Sequence, residues 1–269
     1  MTTPGDWDDW DAACAILGDL DYEAQYVAIR GLLRRQRDVD AALEKELAEL
    51  VEFAKRTSGS RNEQAVEEYG VGFYTSVFQD AAHSMAAAGM LAPFVESLFT
   101  QAFRGIREQR GLRGIRDEGH PRWSMDAEQR WDCHCVVNSP KSDIARGIIQ
   151  LSEASGLITY LPTDLKLTLE ALFGYRNKMF HGGFEWQPEI REKFAARIAN
   201  DKWPSNWFDK ACSGGQPWIF YLTDAFVDHC LEMIEAVLRG FGAFTKALIV
   251  SAPLVKSDAP QWVRDRLKE

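Results

Sequence analysis

Apolar residues recur three and four positions apart through most of this chain, and that spacing commits it to helices rather than sheets. The clearest stretch runs from Asp224 to Phe244. There Phe226, Val227, Cys230, Leu231, Ile234, Leu238 and Phe241 form one stripe, which suits a central core helix. A second amphipathic helix is expected from Asp40 to Thr57 on Leu43, Leu47, Leu50, Val51 and Ala54, stopped by Ser58, Gly59 and Ser60. Asn62 is placed to cap the next, which carries Val66, Tyr69, Phe73 and Val77 and continues through the small residues from His83 to Gly89. Pro93 opens or kinks a further helix that presents Phe94, Leu98, Phe103 and Ile106. After a loop to about Pro140, a helix from Lys141 to Ser152 shows Ile144, Ile148 and Leu151, and Gly156 breaks it. A short helix follows at Pro188 to Ala199, then an irregular stretch with Trp203, Pro204, Trp207, Gly214, Gly215 and Trp218. Trp218 to Leu222 is the one hint of a strand. The expected class is all-α.

Composition narrows the setting. With 269 residues, 46% hydrophobic and 26% charged, a substantial core can form without disulfides or metals. No apolar run approaches the ~20 residues of a spanning helix. The start, MTTPGDWDDWDAAC, is acidic where a signal peptide is basic and then apolar. No membrane partner is expected, and the cytoplasm is the expected location. Five cysteines at no framework spacing read as free thiols in a reducing compartment. A net charge of −9 argues against a non-specific coat for nucleic acid, since phosphate binding wants a broad basic surface, but leaves room for a local basic site. The reversal from Trp7, Asp8, Asp9, Trp10 and Asp11 to Arg30, Arg34, Arg35 and Arg37 reads as two solvated faces.

One segment carries chemistry. In LPTDLKLTLEALFGYRNKMFHGGFEW a helix begins near Pro162, Thr163 and Asp164 and ends at Gly182-Gly183. Leu165, Leu169, Leu172, Phe173 and Phe180 share one side, and Arg176 falls inside that stripe, about 40° round from Leu172. A charge there costs free energy unless it meets an anion or a partner surface. His181 lies about 140° round from Arg176, whereas Asn177, four residues before it, shares its face and is placed to orient the imidazole. The last turn of a helix favours a cation, which suits a proton shuttle.

Arg176-Asn177-Lys178-Met179-Phe180-His181 resembles the R-x4-H signature of the HEPN superfamily, with a polar residue directly after the Arg and the Gly182-Gly183 pair following. The resemblance covers the motif and the helical layout of residues 62 to 250. It implies a HEPN-like helical domain over 61–250, with 1–60 as an N-terminal helical extension and 251–269 as a C-terminal tail. It also implies a homodimer whose two motifs meet across a two-fold axis to form a composite site. Such a site cleaves RNA without metal or cofactor, with Arg176, Asn177 and His181 as catalytic residues. Toxins and anti-phage defence effectors of this kind act on tRNA or mRNA and are restrained by an antitoxin or regulatory partner. The alternative is a non-catalytic HEPN-fold module that binds a nucleotide or a partner protein.

Other features rank lower. Arg104, Arg107, Arg110, Arg113 and Arg116 recur every three residues and, with Lys178, are the expected RNA-positioning contacts, although Gly105, Gly111 and Gly114 weaken their helix. Cys133-His134-Cys135, with His120 upstream, lacks the second ligand pair that zinc wants, so no metal is expected. His83 and Cys230 read as core residues. Trp203, Trp207 and Trp218 can stack on bases but more often lie over a core. The chain holds no P-loop, no G-x-G-x-x-G after a strand and no H-E-x-x-H.

Overall fold

The computed structural model describes residues 8–200 and 203–252. Trp7, most of the 251–269 tail and the first residues of the acidic N-terminus lie outside them. The order is α1 (Asp9–Leu17), α2 (Tyr22–Arg56), α3 (Ser60–Leu112), α4 (Ile144–Ser155), α5 (Leu165–Gly182), α6 (Pro188–Asn200), β1 (Phe208–Ser213), β2 (Gln216–Leu222) and α7 (Asp224–Ser251). The fold is mostly helical, as the periodicity requires. Among the described residues no helix is long and apolar enough to cross a membrane.

The described chain packs as two compact units. The first takes the chain up to Tyr22, Pro93–Phe173 and the chain from Leu231; the second takes Glu23–Ala92 and Gly174–Cys230. Helices α3, α5 and α7 run through both, and α2 leaves only its first residue, Tyr22, in the first. In α3 the division falls at Ala92/Pro93, where proline removes a backbone donor and disturbs the Gly89 carbonyl. Pro93 nevertheless lies inside one continuous helix rather than starting a new one.

The first unit is built around Leu98, Phe99, Phe103, Ile106, Ile148, Leu151, Ile234, Leu238 and Phe241, all fully buried. Phe99 meets Phe241 edge-to-face, with centroids 5.4 Å apart. Helix α1 lies backbone-close to this core. A Cβ on Gly105 would stand 2.0 Å from the Ile16 carbonyl oxygen, and one on Gly242 would stand 1.9 Å from that of Asp9. Gly105 is therefore a contact point and not a weak spot in its helix. The loop from Arg113 to Asp143 is organised by Arg122, which has no exposed surface. Its Nε donates to the Arg130 carbonyl at 2.8 Å, its Nη1 to that of Cys135 at 3.0 Å, and its Nη2 to that of Asp132.

In the second unit α2 and α3 form a long hairpin. Helix α2 starts some 18 residues earlier than Asp40, because Tyr22, Tyr26 and Leu33 are buried along it; of the basic residues read as a solvated face, Arg34 and Arg35 are exposed, whereas Arg37 is half-buried and paired with Asp224 and Asp228 at 2.8 Å. Asn62 does not cap α3; its side-chain amide donates to the Ala54 carbonyl at 2.6 Å and closes the end of α2. The irregular Trp-rich stretch contains an antiparallel hairpin, β1 with β2, whose register runs from Phe208↔Leu222 to Ser213↔Gln216 with a bulge at Ala211/Cys212. Gly214 (φ 59) and Gly215 (φ 79) take the positive φ that a two-residue turn needs. Tyr175, Trp186, Phe194, Phe208 and Phe220 fuse this hairpin to α5 and α6, with the Tyr175 hydroxyl donating to the Phe220 carbonyl at 3.1 Å. Burial of each such ring contributes about 1.5–3 kcal/mol.

Candidate functional site

The last two turns of α5 belong wholly to the second unit. The buried stripe of α5 passes through Leu169 and Leu172 and continues in these turns through Tyr175 and Met179, each with no exposed surface. Phe180, expected in that stripe, is 49% exposed, and Arg176 sits half-buried at the stripe's edge instead of inside it. The reason is steric register: Tyr175 and Met179 continue the run from Leu172, so Arg176 and Phe180 are turned outward by about 100° each. Asn177, Lys178 and His181 are exposed.

Three contacts fix the arrangement. Arg176 Nη1 donates to Asn177 Oδ1 at 3.1 Å. The guanidinium carbon lies 5.5 Å from the centre of the Phe180 ring, within cation–π range. Phe180 in turn rests on α3 at Gly89, where a Cβ would come within 2.9 Å of its ring. Asn177 thus holds the arginine, whereas the sequence had suggested that it would orient His181. Among the described residues no acid pairs with Arg176, and its Nε is buried without a hydrogen-bond partner. His181 bonds to neither Arg176 nor Asn177.

The turn after His181 is firmly built. The Gly183 N–H bonds to the Met179 carbonyl at 2.9 Å, with Gly183 at φ 65. Trp186 folds back so that its Nε1 donates to the Gly183 carbonyl at 2.8 Å, and its ring lies close against Gly182. A side chain at position 182 would meet that ring at 3.0 Å. The sequence missed Gly89 as the seat of Phe180; the run Ala86-Ala87-Ala88-Gly89 is the signal that α3 is approached closely there.

The remaining candidates separate by their partners. Arg104 and Arg107 face solvent. Arg110 donates to the Asp117 carboxylate at 3.3 Å and the Arg116 carbonyl at 2.7 Å. Arg113 is buried, donating to the Ala252 carbonyl at 2.7 Å and to Gln109 Oε1 at 3.2 Å. The row of phosphate contacts expected from Arg104 to Arg113 is therefore reduced to its first two members. Asp132, Cys133 and His134 bring their ligand atoms within 4.8 Å of one another. Each, however, has protein partners: Cys133 Sγ lies 3.6 Å from Thr100 Oγ1, His134 Nε2 lies 3.3 Å from Glu96, and Asp132 accepts the His134 N–H at 2.8 Å. Burial pushes the Cys133 thiol up to about 11, away from the thiolate that metals bind. His120 accepts the Arg122 N–H at 3.1 Å. His83, read as a core residue, is half-exposed and paired with Asp40 at 2.7 Å. Trp203 and Trp207 are buried lids, whereas Trp218 is not.

No family model matches this chain, and no curated protein or solved structure is found similar to it.

Proposed function

We propose that the chain is a metal-independent endoribonuclease of the HEPN type, acting as a homodimer. The observation that carries this reading is Arg176: a half-buried guanidinium with an unpartnered Nε and no acid to neutralise it, one turn from the exposed imidazole of His181. A cation kept in that state costs stability unless an anion visits it. A phosphodiester is such an anion.

In one subunit Arg176 and His181 project about 140° apart. Pairing two motifs across a two-fold axis supplies both groups to one phosphate. His181 of one copy takes the proton from the ribose 2′-OH, whose oxygen attacks phosphorus. The 5′-oxygen leaves with a proton from the second imidazole. Arg176 stabilises the charge that builds on the phosphoryl oxygens, and Asn177 keeps the guanidinium in place. The products are a 2′,3′-cyclic phosphate and a 5′-hydroxyl, and DNA is inert because it lacks the internal nucleophile. Lys178, exposed on the same turns of α5, is the positioning contact in this reading. A role as a toxin or defence effector in the cytoplasm, acting on tRNA or mRNA under an antitoxin or regulatory partner, extends the same resemblance.

The rival reading, a non-catalytic nucleotide- or partner-binding module, draws on one fact: Asn177 contacts Arg176 and leaves His181 without an orienting partner. Incubation of purified wild type and His181→Ala with RNA and with DNA in excess EDTA decides between them. Cutting of RNA alone, by wild type alone, with cyclic-phosphate ends supports the nuclease. Folded dimer that leaves RNA intact supports the module.

A further inference from the structure

The chain leaving the motif turn runs into an aromatic cluster that the core does not use. Tyr74 and Phe78 of α3, Phe184 just beyond α5 and Trp218 of β2 all belong to the second unit. Tyr74 lies 5.2 Å from Phe78 and 5.5 Å from Trp218, Phe78 lies 5.5 Å from Trp218, and Phe184 lies 6.5 Å from Phe78, centre to centre. Tyr74 is 57% exposed, and the other three are only half-buried. The neighbouring tryptophans behave differently, since Trp203 and Trp207 are each 5% exposed and cover core residues. A cluster of rings kept partly in water is unusual for a surface with no apolar partner.

Its surroundings say what it takes. Phe184 is three residues after His181, so its Cα lies within about 11 Å of the imidazole's Cα. Trp218 is held in place at its edge: the indole Nε1 donates to Glu185 at 2.6 Å. That bond fixes the plane of the indole and leaves its face open. One residue before Trp218, the Pro217 carbonyl accepts from Arg191 at 2.9 Å, and the Nε of Arg191 is buried without a partner. Ring faces beside an under-used cation suit a base with its phosphate better than they suit an apolar peptide.

We infer that Tyr74, Phe78, Phe184 and Trp218 form a base-stacking subsite that holds unpaired nucleotides of RNA beside the Arg176/His181 turn. The inference rests on the ribonuclease reading above and names its substrate class: single-stranded RNA or a loop, since paired bases cannot splay onto rings. Arg191 is placed to meet the phosphate of the stacked nucleotide.

The test uses the full chain carrying His181→Ala, so that RNA is bound and not cut, titrated with a short single-stranded RNA oligonucleotide and with the same sequence as a duplex. Stacking contributes about 1–3 kcal/mol per base, so Trp218→Ala is expected to weaken single-strand binding by roughly 5- to 150-fold. Trp218→Phe should retain most of the binding, and duplex binding should not change. Tyr74→Ala, which removes a side chain that is mostly exposed, should weaken single-strand binding in a protein of unchanged melting temperature. With His181 restored, Trp218→Ala should raise KM and leave kcat nearly intact. Equal single-strand binding by the parent, Trp218→Ala and Tyr74→Ala would overturn the subsite while leaving cleavage standing. An equal loss for duplex would overturn it too. Single-strand binding that depends on Trp218, in a protein whose wild type never cuts RNA, supports the subsite and removes the nuclease.

Discussion

Two arginines of this chain have been treated in opposite ways. Arg122 is wholly buried, and three of its nitrogens donate to the carbonyls of Arg130, Cys135 and Asp132, so its charge is spread over the loop it holds together. Arg176 keeps part of its surface in water, bonds to one neutral amide oxygen and leaves its Nε unpaired. The first guanidinium is structure. The second is half-finished, and what it lacks is what a phosphate would supply. A guanidinium whose donors are met belongs to the fold, and one that is half exposed, has an open donor and no acid beside it is available to an anion.

If that contrast holds, the largest effect belongs to Arg122. Arg122→Ala takes the donor from the carbonyls of Arg130, Cys135 and Asp132, each loss costing about 1–3 kcal/mol where water cannot replace it, and should unfold the protein or lower its melting temperature steeply, as read by circular dichroism. A stable Arg122→Ala protein would break the comparison. His181→Ala comes next. It should cost about 10²–10⁴-fold in RNA cleavage, with the melting temperature unchanged because the imidazole is exposed and makes no bond to Arg176 or Asn177. Gly89→Ala should have a smaller effect. Its Cβ would press within 2.9 Å of Phe180, pushing the exposed ring from beneath the Arg176 guanidinium, so cleavage should drop about tenfold while stability changes little, because the gain of about 1 kcal/mol from Ala over Gly inside a helix offsets the shift.

An acid in the second unit gives the smallest and sharpest test. Asp40 has His83 at 2.7 Å, but Asp80 beside them makes no hydrogen bond among the described residues. It lines a cavity of about 270 Å³ with Arg37, Asp209 and Tyr221. Burial, and then the Asp40 carboxylate, push its carboxyl up to about 6 from 3.8. A raised acid favours the folded state below its unfolded value, and that benefit is lost as pH rises from about 4 through 6. Asp80 is only partly buried, so after solvent screening Asp80→Asn should stabilise the protein by about 1 kcal/mol at pH 7.5, and the difference should vanish near pH 4. Equal melting temperatures at both pH values would contradict the shift.

Much of this architecture is legible from local pattern. The stripe of α7 is buried residue for residue from Phe226 to Phe241, and Gly156 and Gly183 end α4 and α5 with positive φ. The resemblance that marked Arg176, Asn177 and His181 likewise needed only adjacent residues. What was not legible depends on distant ones. Nothing near Arg122 announces that its guanidinium will replace solvent for a loop reaching to Cys135. The β-hairpin was reduced to a hint because Pro217, Lys210 and Asp209 interrupt its alternation, although Gly214-Gly215 was a turn signal. Asn62 reads as an N-cap by sequence and becomes a C-terminal clamp on α2 only once the hairpin closes. The aromatic cluster assembles Tyr74, Phe184 and Trp218 from three elements, which no periodicity connects.

The most direct test of an open Arg176 reads stability and cleavage on the same protein, Arg176→Met, which keeps the aliphatic stem and removes the charge. The predicted result is a melting temperature equal to or above wild type together with loss of RNA cleavage by at least about 100-fold. A melting temperature several degrees lower, or cleavage at the wild-type rate, would show instead that Arg176 belongs to the fold.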